Sequence, residues 1–276
     1  MWRFKLGKFD CIVLYDGTRT IGSMTNGSAT KFIFGDAPED ELDKCLRAYG
    51  GFDSSTTLPF NYLLMKGGGH NTLIDTGCGD QAENDKNTNE PAGLLIKSLG
   101  EAGLCADDID TVIVSHGHWD HFGGAVVGGR VAFPNAKYVI SEKEAGFIRN
   151  NKGWALDYMQ ILGDRLSLVQ DEAEINPGIT VKTAPGHAPG ITITEASSNG
   201  KTLIYTSDII IHQAHVEHTD WIPSFETDRL TAIENRSKLV EEANKRNLLL
   251  FVPHIPNVIG RVARDSFGYK WVNEKI

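Results

Sequence analysis

The sequence predicts an α/β protein whose sheets are covered by helices and whose chemistry gathers at one edge of the strands. Three observations predict it. Short apolar, β-branched runs recur along the chain, and several close on a His or an Asp. Helix signals stand between these runs, including a Ser-Glu-Lys-Glu start at Ser141 and a long amphipathic stretch over 228–246. The metal-ligating residue types fall between His116 and His254 with no linker among them, so residues 1–276 are expected to form one domain.

Each element follows from local pattern. Residues 9–15 alternate as a strand does. Residues 17–59 read as irregular and rich in Gly, Ser and Thr, with a helix near 40–48; such a section is either a pocket wall or a surface insertion. Residues 60–66 and 71–75 form a hairpin through Gly67, Gly68 and Gly69. A polar loop over 79–90 follows, and Pro91 opens a helix carrying Leu94, Leu95 and Leu99. Residues 111–115 are a short buried strand and 137–140 another, with a capping box from Ser141 to Glu144. Phe147, Trp154, Tyr158 and Met159 make 146–165 either core or a second pocket-forming insertion. Strands are expected over 179–184, 191–196, 202–207 and 248–252. The helix over 228–246 carries Leu230, Ile233, Val240 and Ala243 on one face.

The densest chemistry follows the strand at 111–115. His116, His118, Asp120 and His121 place three imidazoles and a carboxylate within six positions. Buried, these groups cost free energy unless something satisfies them, and a metal ion is the strongest such partner. Alternation in extended chain points His116 and His118 the same way. Asp120 is a good helix N-cap for a segment starting at His121, and the corner swings both toward a second point. Two metals about 3.5–4 Å apart are the expectation. Further ligands come from just past other strands: His187 in a Pro/Gly turn, Asp208 and His254. Asp75 is read as a turn residue or as the acceptor of a ligand histidine's other N–H. His212, four residues past Asp208, is a candidate for proton transfer. His215, His218 and His70 read as ordinary structural or solvated histidines.

Asp75-Thr76-Gly77, then His116, His118, Asp120, His121, His187, Asp208 and His254, in this order, resemble the metallo-β-lactamase-fold hydrolases. The resemblance runs over residues 60–254 and implies a four-layer αββα sandwich with a dinuclear centre at its edge. It further implies that His116, His118 and His187 hold one ion, that Asp120, His121 and His254 hold the other, and that Asp208 bridges both. Within that family, β-lactamases carry Cys where this chain has Asp208, and flavodiiron proteins carry Glu where it has His118. Glyoxalase II-like thioesterases place the His-rich motif near the start and add a helical domain after the last ligand. The chain is most similar to the branch of lactonases and methyl parathion hydrolase, the stretch from Asp208 through Asp220-Trp221 to Phe225 leaning to the latter. Lactonases of the best-known type have Tyr three residues after the bridging Asp; here stands Ile211.

The implied activity is opening of a lactone or related ester by attack of a metal-bridging hydroxide, with Asp120, Asp208 and His212 as candidate catalytic residues. The alternatives are phosphotriester hydrolysis or, in another reaction class, a mononuclear iron enzyme similar to the persulfide dioxygenases. The expected cofactors are two divalent ions, zinc first, with manganese, cobalt or iron(II) open.

Composition bounds the rest. An apolar fraction of 41% is that of an ordinary globular protein. The net charge of −9 argues against a nucleic-acid partner. No run of about 18 apolar residues exists, so no membrane span is expected. No apolar leader follows Met1-Trp2-Arg3, and Cys11, Cys45, Cys78 and Cys105 lack a C-x-x-C pair. Both fit reduced thiols in a cytoplasmic protein. The expected partner is a small ester or lactone, and the sequence leaves oligomeric state open, a homodimer included.

Overall fold

A computed structural model describes residues 2–84 and 92–275. The first sheet begins with β1 (Trp2–Leu6), β2 (Phe9–Thr20), β3 (Thr57–Gly67) and β4 (His70–Ile74), all antiparallel. It continues in parallel through β5 (Thr111–Ile113). A small hairpin of β6 (Val126–Val127) and β7 (Arg130–Val131) precedes its last strands, β8 (Lys137–Ser141) and β9 (Leu166–Val169).

The second sheet runs through β10 (Glu172–Asn176), β11 (Ile179–Thr183), β12 (Thr192–Ser198), β13 (Lys201–Tyr205), β14 (Leu249–Phe251), β15 (Ile259–Arg264) and β16 (Tyr269–Asn273) in that spatial order. Its one parallel pair among the described strands is β13 with β14. The long excursion between those two strands carries the segment after Asp208.

Alternation along the strands explains why the sheets stack. In β2, Cys11 and Val13 face the second sheet, where they meet Val181, Leu203 and Phe251. Ile12 and Leu14 face the other way, onto helices α4 (Leu95–Glu101), α6 (Glu142–Asn151) and α7 (Trp154–Leu162). The second sheet's outer face packs on α9 (Arg229–Lys245) through Ile204, Leu250 and Val262 against Leu239, Val240 and Ala243. A strand buried on both faces reads as continuously apolar, as β3 does from Leu63 to Met65. The layers are therefore helix, sheet, sheet, helix, the expected four-layer sandwich.

Several local expectations are corrected. Residues 17–59 hold the helix expected near 40–48 but are otherwise not the irregular stretch expected. β2 continues to Thr20 past a register shift at Tyr15/Gly17, and three helices follow: α1 (Ile21–Met24), α2 (Ala29–Phe34) and α3 (Glu39–Ala48). Their apolar residues, Ile33, Phe34 and Leu46 among them, pack on Ile211, Ala214 and Trp221. The helix after the polar loop starts at Leu95; Pro91 and much of the loop lie outside the described residues. Residues 146–165 line no wall of the cavity beside the ligands; Tyr158 and Met159 pack with Phe122 in the helical layer, and Phe147 is exposed. Leu230 is 80% exposed, so the buried face of α9 is Ala232, Arg236, Leu239, Val240 and Ala243. No helix among the described residues is long and apolar enough to cross a membrane.

Candidate metal centre

The sheet edge collects the seven predicted ligand positions from four strand ends. β5 ends at Ile113, and the chain turns into the short helix α5 (Trp119–Phe122). His118, not Asp120, occupies the N-cap position, and Asp120 lies inside the first turn. A helix two residues earlier still groups Asp120 and His121 with His254, apart from His116 and His118. His187 sits between β11 and β12, Asp208 in a 3₁₀ turn after β13, and His254 past β14.

Two groups of ligand atoms result, each lying within 4.8 Å of one another: His116, His118, His187 and Asp208, and beside them Asp120, His121 and His254. Asp208 faces both. Its Oδ2 is 3.3 Å from His187 Nε2 and 3.9 Å from His116 Nε2. Its Oδ1 is 3.1 Å from both His121 Nε2 and His254 Nε2. Asp120 Oδ2 closes the second group at 3.6 Å from His121 Nε2 and 3.7 Å from His254 Nε2.

These spacings fit metal ions better than hydrogen bonds. Ring nitrogens approach each other at 3.0 Å (His187 to His118) and 3.3 Å (His254 to His121). Ligands at about 2.0–2.1 Å from a tetrahedral zinc stand roughly 3.3 Å apart. His116 Nε2 is buried without any hydrogen-bond partner, a cost that a cation removes. The donor set of imidazoles and carboxylates suits two divalent ions of the first transition row.

Charge tells the same story. Burial, with His121 and His118 beside it, holds His116 well below the usual imidazole range. Burial and then His187 bring His118 down to about 3. Burial would also lower His121, but the carboxylates of Asp208, Asp120 and Asp75 outweigh it and push this imidazole up. Against its own burial, Asp208 is held well below the ordinary carboxylate range by His121 and His254. The site is a buried anion field that a proton or a cation must answer.

A second ring of contacts fixes the rings. Asp75 Oδ2 is 2.8 Å from His121 Nδ1, and the same carboxylate accepts from Ser115 N, Ser115 Oγ and Tyr205 Oη. His254 Nδ1 lies 3.2 Å from the Pro59 carbonyl. His187 Nδ1 lies 3.3 Å from the buried Glu226 carboxylate, whose other oxygen faces Arg236. Glu144 begins its helix as half a capping box: Ser141 Oγ accepts from Glu144 N. The Glu144 carboxylate does not return to Ser141 but accepts from Gly117 N and Gly190 N, 2.9 Å each, tying the two histidine loops together. Glu226, Tyr205 and Arg236 escaped the sequence reading, and Glu144 was read there only as part of a capping box. Of those three, Arg236 alone left a trace, as a charge three residues after Ile233 and four before Val240, on an otherwise apolar helix face.

His212 is not brought to the ligands. Its ring stands edge-on to Phe34, Phe52 and Tyr49, and its Nδ1 accepts from Ala214 N. Burial brings it down to about 3, so it is a neutral member of an aromatic box. His215 is structural: Ile211 N donates to its Nδ1, and its Nε2 faces the Ile33 carbonyl. Cys78 is buried but belongs to neither ligand group.

A cavity of about 220 Å³ opens over Asp120, Asp208, His118 and His254. Met24, Phe32, Ile33 and Leu58 reach it from the segment between β2 and β3. Phe60 and Trp119 stand edge-on at its side, and Ile211 and Phe225 come from the stretch after Asp208. A larger cleft, about 680 Å³, lies elsewhere, against Lys5, Lys201, Arg246 and Arg261.

With this geometry in place, similarity to known proteins can be stated. Residues 56–254 match the model of the metallo-beta-lactamase superfamily. The chain belongs to that superfamily. An N-acyl homoserine lactonase of Bacillus thuringiensis is 25% identical over 236 residues, 76% of this chain and 89% of the relative. AidC, a dizinc quorum-quenching lactonase solved in complex with its product N-hexanoyl-L-homoserine, is 26% identical, with a TM-score of 0.84 over 100% of this chain and 97% of the other. The hydrolase AbOPH, 22% identical with a TM-score of 0.84 and the same coverage, shares the fold. These relatives place the chain in a lactonase-like branch of the superfamily.

Proposed function

We propose that this metal-dependent hydrolase opens lactones at a centre of two divalent ions, zinc first. One is held by His116, His118 and His187, the other by Asp120, His121 and His254, with Asp208 shared between them. The observation that carries the reading is Asp208, one oxygen turned to each histidine group. When bound, such a pair would lower the pKa of a water lying between its members and polarise the oxygen of the scissile bond.

The chain's own groups do the rest. Met24, Phe32, Leu58 and Phe225 exclude bulk water and give an apolar substituent a place to lie. Asp120, on the cavity floor, is the carboxylate placed to accept a proton from the attacking water and return it to the departing ring oxygen. Asp75, Glu226 and the Pro59 carbonyl each face the second nitrogen of a ligand histidine and so fix which nitrogen faces the centre. The lactonase relatives support this substrate class.

A second reading is favoured by one residue. Ile211 in the cavity wall offers no hydroxyl to a substrate carbonyl, so its position suits a phosphotriester as well as a lactone. Catalytic efficiency of metal-loaded protein on a panel of lactones, simple esters and phosphotriesters decides. The reading expects lactones to lead by at least tenfold; phosphotriesters leading, or no ester turned over, would reverse it.

A further inference from the structure

A second group of metal-ligating side chains lies outside the centre just described. Cys45 of α3 and Glu217 and His218, at the end of helix α8 (Ala214–Glu217), bring one sulfur, one oxygen and one nitrogen within 4.8 Å of one another. Each is held in place by a neighbour that is not itself a donor of the trio. The Tyr49 hydroxyl donates to Glu217 Oε1, which leaves the second carboxylate oxygen for another partner. The His218 ring stacks flat on Trp221, 3.6 Å between centroids and 3° between planes. Cys45 is buried on the apolar face of α3, in the cluster that joins this helix to Ala214 and Trp221.

We propose that Cys45, Glu217 and His218 form a third, separate cation site that binds zinc with three protein ligands and a solvent molecule. Thiolate, imidazole and carboxylate together are a zinc set; the hard cations calcium and magnesium take oxygen ligands instead. Binding replaces the thiol proton, which leaves to solvent. Its consequence is mechanical. The site clips α3, from the segment that supplies Met24, Phe32 and Leu58 to the cavity, onto the stretch between Ile211 and Phe225, which supplies the adjoining wall. A cation here stiffens the cavity without touching the substrate.

Cobalt makes the proposal testable, because the seven-ligand centre contains no sulfur. Metal-free protein loaded with cobalt(II) and freed of excess should bind one equivalent more than Cys45→Ser and show a near-ultraviolet thiolate-to-cobalt charge-transfer band that the variant lacks. Glu217→Gln keeps the Tyr49 hydrogen bond and should weaken that equivalent at least tenfold; His218→Ala should do the same. Lactone turnover at saturating metal should stay within about twofold in Cys45→Ser. Absence of the band from the unsubstituted protein, or its persistence in Cys45→Ser, overturns the site. The band does not depend on what the seven-ligand centre catalyses, so either claim can fail alone.

Discussion

At the scale of single residues, the proposed chemistry turns on Asp208, and Glu226 refines it. Asp208 is a carboxylate because two oxygens and a full negative charge are needed to face His187 on one side and His121 and His254 on the other. Glu226 acts at one remove, on the far nitrogen of His187. Such partners raise ligand basicity and hold the ring, and losing one typically costs 10–100-fold in metal affinity. Glu226→Gln should therefore weaken the ion assigned to His116, His118 and His187 by about tenfold or more in chelator competition. Unchanged affinity in a folded variant would reduce Glu226 to a packing residue. The gathering of the seven proposed ligands was legible because each is a His or Asp that follows a strand-like run. Glu226 was not, because nothing local in Ser224-Phe225-Glu226 says which ring it will meet. His212 misled for the same reason: four residues past Asp208 is near in sequence, yet Phe34, Phe52 and Tyr49 come from the far end of the chain to enclose it.

At the scale of elements, α9 does more than cover the second sheet. Arg236, on its buried face, donates to the carbonyls of Ile209 and Trp221 at 2.7 Å and of Thr219 at 3.2 Å, and faces Glu226 at 3.3 Å. One helix thus holds the turn after Asp208, the approach to Phe225 and the partner of His187. Removing one member of such a buried pair strands the other's charge, at a cost of about 3–5 kcal/mol. Arg236→Leu should lose that much stability in denaturant unfolding of metal-free protein. Adding Glu226→Leu should recover part of it; strict additivity would show that the two charges do not depend on each other.

The segment between β2 and β3 could be read as a pocket wall or a surface insertion, and only the third of its helices was legible. Its first two are four and six residues long, too short for a periodic signal, and are stabilised by packing on Ile211 and Trp221. The loops at the centre are crowded as well as tied. A Cβ on Gly190 would stand 2.1 Å from Glu144 N, so Gly190→Ala should push the His187 loop from α6. That variant should fold with a lowered melting temperature and weakened metal binding. Retention of both would show that the loop moves freely.

At the scale of the molecule, two sheets stack through Val13, Leu63, Leu203 and Phe251, and the ligands gather at one edge of the stack. The alternating strands and helix signals made the α/β class legible. The count and order of layers came through the family resemblance, since strand pairing between distant runs leaves no local mark. The same architecture makes the protein's stability a function of its metals. Without them, several imidazoles and two carboxylates share one dry volume. A ligand at a thousandfold excess over its Kd contributes about 4 kcal/mol to a folded state. Chelation should therefore lower the melting temperature by on the order of 10 °C, reversibly on adding zinc. An unchanged melting temperature would mean that the buried cluster is satisfied without ions.

The central claim is that both histidine groups work together on a lactone. The measurement that tests it most directly is lactone turnover by the Cys45→Ser protein as zinc is titrated into its metal-free form. The account predicts little activity at the first equivalent and a break at the second, with Asp208→Asn losing most of the rate and at least one ion. Full turnover at a single equivalent, activity that depends on iron and oxygen, or full rate with two ions in Asp208→Asn would contradict it.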